Sequence, residues 1–216
     1  MRGLVRLSAS EVVAGGLLGP VLSLFQEQTT DIVLDIIADP SLSGPGAAPR
    51  VMNARRDVDI ALRLARPTQG DMLVRKLTDV AYWLYAPTPY AEKLGDLPAR
   101  NDLTDIRIIG FSEEERPLGP VWWLSRAEKA GHVVMRSSSA ATRLAACQNG
   151  AAVTALPCFQ ADNIDWLTRL AGPDLVGSLE LWLLTRTDMA KLGHVRAVMD
   201  FVVNAIVGQS ARLGGV

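Results

Sequence analysis

The sequence predicts an α/β fold divided into two lobes, on three observations. Short β-rich runs alternate with helical patterns along the chain, the arrangement of a parallel sheet covered by helices. VRLSAS at 5–10 and VMRSSS at 134–139 both read as strand, serines, then helix, and each helix is followed by another strand. The chain has 216 residues and is 49% hydrophobic, enough for two lobes of roughly 100 residues each.

The elements follow in order. Leu4–Ser8 alternates apolar and polar residues, as a strand does. Ser8, Ala9 and Ser10 lead into Glu11, a helix entry with an acidic first turn. Glu11–Gln28 reads as a helix whose stripe of Leu18, Val21, Leu22 and Phe25 is widened by Val13, Leu17 and Leu24. A helix apolar over so much of its circumference needs partners on two sides. Pro20 predicts a kink in it. Asp31–Asp39 is a β-branched strand, and Pro40–Pro49, with three Pro and two Gly, is a loop. Asp57–Leu64 alternates strictly, setting Arg63 apart from the face of Ile60, Leu62 and Leu64. Residues 73–86 form a long β-rich stretch that Pro87 and Pro89 stop. Asp105–Phe111, Val121–Ser125 and Val133–Arg136 read as strands, with a charged loop over Glu113–Pro120. Ser137–Ser139 precede a helix, Ala140–Asn149, closed by Gly150. Ala151–Leu156 is a buried strand ended by Pro157, Leu179–Thr185 is another, and Leu192–Val207 is the last helix.

Composition narrows the function. With 22 Lys+Arg against 23 Asp+Glu the net charge is −1, so these residues lack the basic excess of a DNA reader. Two Cys make no disulfide framework, and no apolar run is long enough to span a membrane. MRGLVRLSAS lacks the apolar core of a secretion signal. The expected compartment is the cytoplasm. No cofactor and no metal are expected. GPGAAP at 44–49 lacks the third Gly of a dinucleotide fingerprint, no GxxxxGK[ST] loop exists, and no HExxH or CxxC accompanies His132 or His194. No GxSxG elbow or recognisable acid/base pair is present, so an enzyme is not expected.

GLVRLSASE at 3–11, DIVLDIIAD at 31–39 and DVDIALRLARP at 57–67 carry a resemblance. VRKLTDVAYWLYAPTPY at 74–90, RSSS at 136–139, GAAVTALPCF at 150–159 and the C-terminal LWLLTRTD and VRAVMDFV extend it in the same order. Over about Gly3 to Ala205 the chain resembles the effector-binding domain of LysR-type transcriptional regulators. The resemblance implies two Rossmann-like lobes joined by two crossover strands, as in type 2 periplasmic binding proteins. Mapped here, lobe I takes 1–85 and 187–216, and lobe II takes 86–186. It implies a small-molecule effector in the inter-lobe cleft, a homodimer of this domain and a tetramer of the full regulator. The apolar Glu11–Gln28 helix would then lie antiparallel to a partner's Ser139–Asn149 helix. DNA is reached only through a winged helix-turn-helix that has no counterpart here, so a truncated regulator is expected. The alternatives are a solute-binding protein of a transport system, or an enzyme on a similar scaffold such as a deaminase or dehydratase.

Ligands of open α/β sheets bind beyond the carboxyl ends of the strands. That rule nominates Ser8, Ala9, Ser10 and Arg63 in lobe I, with Ser137, Ser138, Ser139, Pro157 and Cys158 in lobe II. Serines at helix N-termini offer hydroxyls and backbone N–H groups that favour anions, and a guanidinium adds charge. Together they suit a small organic acid. Each serine could instead be only an N-cap, and Arg63 could pair with a surface carboxylate. Trp122 and Trp123 could line an aromatic pocket but suit core or interface packing better. Cys147 and Cys158 read as ordinary buried thiols, because only Arg143 supplies charge nearby.

Overall fold

The computed structural model describes residues 2–29, 31–38, 58–66, 72–112 and 122–215. The expected loops at 40–49 and 113–120 lie outside the described residues. The described chain divides into two compact units. Unit 1 holds the residues up to Asp79 together with Glu180–Ala211; unit 2 holds Val80–Leu179 together with the residues from Arg212 onward. The boundaries therefore fall several residues earlier in each crossing strand than 85/86 and 186/187. The reason is packing: Val80, Ala81, Tyr82, Leu84, Tyr85 and Ala86 are all buried, and from Tyr82 onward the strand pairs with strands of unit 2.

In unit 1, β1 (Gly3–Ala9) pairs in parallel with β2 (Ile32–Ala38) and with β3 (Ile60–Arg63), and β3 pairs antiparallel with β9 (Ser178–Arg186). β3 is shorter than the Asp57–Leu64 alternation suggests. At its start Asp59 grips Arg6 twice, donating its N–H to the Arg6 carbonyl at 2.9 Å and accepting the Arg6 N–H on its side chain at 2.8 Å. The helical run Glu11–Gln28 is interrupted where Pro20 predicts. α1 (Glu11–Val13) passes into a π-helical stretch (Ala14–Leu18) and a 3-10 turn (Gly19–Val21) before α2 (Leu22–Gln28). Pro20 has no N–H to close the α-helical ladder, so the bonding pattern changes around it. The buried face is Val13, Ala14, Leu17, Leu18 and Phe25, while Leu24 turns outward. Phe25 meets Phe201 of α8 (Gly193–Val207) edge to face, with ring centroids 5.0 Å apart.

In unit 2, β4 (Met72–Pro87) pairs antiparallel with β7 (Val153–Pro157) and β8 (Leu167–Ala171). β7 and β6 (His132–Arg136) both lie parallel to β5 (Arg107–Gly110). Two local expectations are corrected. Val121–Ser125 is not a strand: α4 (Trp122–Ala130) begins there. The two tryptophans favour a strand locally, but the following Ala127, Glu128, Lys129 and Ala130 are helix formers, and Ala127 is fully buried. Pro87 and Pro89 do not simply stop β4; they open α3 (Thr88–Leu94), with Pro in its first turn.

α5 (Ala140–Asn149) has the expected bounds, and Ser139 caps it by accepting the Thr142 N–H at 3.2 Å. Gly150 closes it in an extended conformation rather than a left-handed one. The short helices α6 (Cys158–Ala161) and α7 (Pro173–Val176) follow β7 and β8, and α9 (Ser210–Leu213) ends the described chain. Among the described residues no helix is long and apolar enough to cross a membrane.

Candidate functional site

β1, β2 and β3 run in parallel, so Ala9, Ala38 and Arg63 end on one edge of unit 1. Ser8, Ala9, Ser10 and Arg63 are gathered there. Arg63 Nη1 donates to the carbonyls of Ser8 (3.1 Å) and Leu62 (2.8 Å), and Nη2 donates to Ser8 Oγ (3.3 Å). The guanidinium is therefore folded over the end of β1. Ala9 is fully buried and offers backbone only. Ser10 stands at the N-cap of α1 in an extended conformation, but its hydroxyl makes no cap bond. The residue is 2% exposed, and its Oγ has no hydrogen-bond partner among the described residues. Most buried hydroxyls are paired, and leaving one unpaired costs stability. The unpaired Ser10 hydroxyl thus stands at the start of the helical run, two residues beyond the Ser8 that Arg63 contacts.

In unit 2 the parallel strands β5, β6 and β7 likewise end on one edge. Ser137 donates its N–H to the Gly110 carbonyl (3.1 Å), and its Oγ accepts the Ser139 N–H (3.2 Å). Arg143, on α5, reaches back to the carbonyls of Ser137 (2.8 Å) and Ser138 (3.3 Å). It is only 2% exposed, and its guanidinium carbon sits 4.1 Å from the centroid of the Phe111 ring. Arg143 thus fixes the serine turn from behind, leaving Ser138 exposed. Pro157 ends β7 opposite Tyr82 and is the N-cap residue of α6. Cys158 turns inward, its sulfur donating to the carbonyls of Arg212 (3.2 Å) and Leu213 (3.3 Å).

The profile of one protein family, the LysR substrate binding domain, matches residues 1–206. The chain belongs to this family. Solved structures agree on the fold. The regulatory domain of CrgA, a LysR-type transcriptional regulator from Neisseria meningitidis, superposes with a TM-score of 0.73 at 19% identity, over 95% of this chain and 100% of that one. The effector domain of the transcriptional regulator AmpR of Pseudomonas aeruginosa gives 0.73 at 16% identity, over 96% and 98%. The CcmR regulatory domain of Synechocystis PCC6803, solved in complex with 2-PG, gives 0.71 at 14% identity, over 95% and 98%. No curated protein matches the sequence. The fold is that of type 2 periplasmic binding proteins, and membership sets the chain among regulator domains rather than transport proteins.

Within this LysR substrate-binding domain the two thiols are inert by environment. Burial pushes Cys147 up to about 12. Burial also raises Cys158, and the nearby Asp162 carboxylate raises it further. Neither is a thiolate near neutral pH. Among the described residues no three His, Cys, Asp or Glu gather as a metal site. The side chains of Trp122 and Trp123 lie outside the described residues. Sequence reasoning passed over Arg143 and Trp182. Arg143 falls four residues beyond the N-cap Ser139, a spacing that brings it back over the serine turn. Trp182 is the Cα partner of Arg63 across β3 and β9, which sets both side chains on one face of the sheet.

Proposed function

We propose that this chain is the effector-sensing part of a LysR-type transcriptional regulator, that it is not an enzyme, and that it holds a small organic acid. Ser8, Ala9, Ser10 and Arg63 would receive the carboxylate in unit 1. In unit 2, Ser137 and Ser138, and the backbone of Pro157 and Cys158 at the end of β7, would offer a second set of contacts. The observation that carries the reading is the buried, unpaired Ser10 hydroxyl, two residues beyond the Ser8 that Arg63 contacts. The regulator would act in the cytoplasm and reach DNA through a head that these residues do not include. Effector binding would act by favouring one arrangement of the chain over another, to the extent that the two differ in affinity.

A thermal-shift screen of small carboxylates tests the site. An effector at about 100 times its Kd adds about 2.7 kcal/mol. Ser10→Ala should weaken that effector at least several-fold while leaving the free protein's stability within about 0.5 kcal/mol, because the hydroxyl caps nothing. Ser139→Ala should do the reverse, costing about 1 kcal/mol as a working N-cap is lost. Unchanged effector affinity in Ser10→Ala overturns the placement.

The proposal extends to self-association. An apolar groove of about 530 Å³ runs between α2 and β2, lined by Leu22, Phe25, Ile32, Val33 and Leu34 among others. Leu24 of α2 and Val33 of β2 are 49% and 63% exposed, apolar side chains suited to contact with a second copy of the chain. Sedimentation at high micromolar concentration should show a dimer, and Val33→Glu should return it to monomer. A monomeric wild type rejects this interface.

A further inference from the structure

Unit 1 carries an aromatic surface beside its serines and Arg63. Arg63 of β3 lies directly opposite Trp182 of β9. Two residues earlier on β3, Ala61 is the register partner of both Ser8 and Leu184. Ser8, Arg63 and Trp182 therefore share one face of the sheet. Directly opposed residues of an antiparallel pair hold their Cβ atoms about 4.5–5.5 Å apart.

Trp182 is half-buried, yet its ring is fixed at the edge. Its Nε1–H donates to Glu180 at 3.2 Å, Glu180 accepts from Lys76 Nζ at 2.9 Å, and Lys76 also meets Asp79 at 2.8 Å. One flat face of the indole carries Arg66, whose guanidinium carbon is 5.4 Å from the ring centroid. Stacked arginines elsewhere in the chain sit closer: Arg143 is 4.1 Å from the Phe111 centroid and Arg169 is 4.3 Å from that of Trp83. Both are also tied by hydrogen bonds, Arg143 to the Ser137 and Ser138 carbonyls and Arg169 to Asp162. Arg66 is exposed and makes no hydrogen bond or ion pair among the described residues. The ring and the nearby charge of Glu180 hold it, and a cation over an exposed ring is held weakly.

We propose that Trp182 determines the specificity of the unit 1 site: the effector is an aromatic carboxylate whose ring lies on Trp182 in place of the Arg66 guanidinium, while Arg63 receives the carboxylate. The inference rests on the carboxylate reading of Ser8, Ser10 and Arg63 given above. An arylcarboxylate sets its charge next to its ring, as the sheet sets a guanidinium next to an indole. The incoming ring removes apolar surface from water against the indole, and the displaced Arg66 returns to solvent. The polar contacts that fix Trp182 hold its edge, so they survive the exchange.

The test compares benzoate with cyclohexanecarboxylate, two acids of equal charge and similar size, by titration calorimetry. The readout is the ratio of their affinities, in which any general change of charge or stability cancels. Trp182→Leu should lower the preference for benzoate at least about threefold, the range of an aromatic pair beyond its buried area. Trp182→Phe should keep most of the preference, and Arg66→Gln should raise it at least about twofold, since the competing guanidinium is gone. An unchanged ratio in Trp182→Leu, or an equal loss of both acids, overturns the platform. An unchanged ratio in Arg66→Gln overturns the exchange. Binding of neither acid to wild type overturns the aromatic class. Arg63→Met separates the two readings: if it weakens both acids while the ratio ignores Trp182, the carboxylate site stands and only this inference falls.

Discussion

Arg63→Met should weaken a carboxylate effector by about 10- to 100-fold, or roughly 1.5–3 kcal/mol, the range for hydrogen bonds to charged groups. The guanidinium is folded over the end of β1, where it meets both the carbonyl and the hydroxyl of Ser8. It supplies the positive charge at the mouth of the helical run that Ser10 opens. Arg63→Lys keeps the charge but loses the planar fork, so it should fall between wild type and methionine. Titration calorimetry with the strongest acid from the screen measures both. An unperturbed Kd in Arg63→Met would mean that the acid binds elsewhere.

Arg143→Ala should produce the largest loss of stability, about 3 kcal/mol or more, because it leaves a buried gap and two carbonyls without their charged donor. The substitution empties the space beside Phe111 and releases the Ser137 and Ser138 carbonyls. For a chain of this length the melting midpoint should drop by at least about 6 °C, and amide exchange should rise across Ser137–Arg143. A midpoint within 2 °C of wild type would show that the guanidinium does not organise the turn. Arg143→Lys retains the charge without the flat stack on the ring and should recover only part of the loss.

The parts of the fold governed by local pattern were readable in the sequence, and the parts governed by distant partners were not. α5 and its Ser139 cap follow from a serine before a helix-forming run. The interruption near Pro20 follows from one missing N–H. Proline was ambiguous at Pro87 and Pro89, because the residue that ends a strand also suits the first turn of a helix. At 121–125 two adjacent tryptophans outweighed the helix formers behind them.

The site was legible as positions but not as states. Ser10 and Ser139 look alike in the sequence, each a serine before a helix. Only the structure shows that one hydroxyl closes its helix while the other is buried without a partner. Arg143 was invisible as a site residue because its role depends on Phe111, thirty-two positions earlier. Cys158 was nominated by its place after β7, yet its sulfur faces Arg212 and Leu213, fifty-four and fifty-five residues away.

The order in which unit 1 is assembled from the chain also has a consequence in time. β3 needs β9 beside it, and the Phe25 ring needs Phe201. A ribosome making this chain therefore finishes nearly all of unit 2 before unit 1 can close. During that interval the N-terminal strands wait with an unsatisfied edge, the condition in which nascent chains aggregate or recruit chaperones.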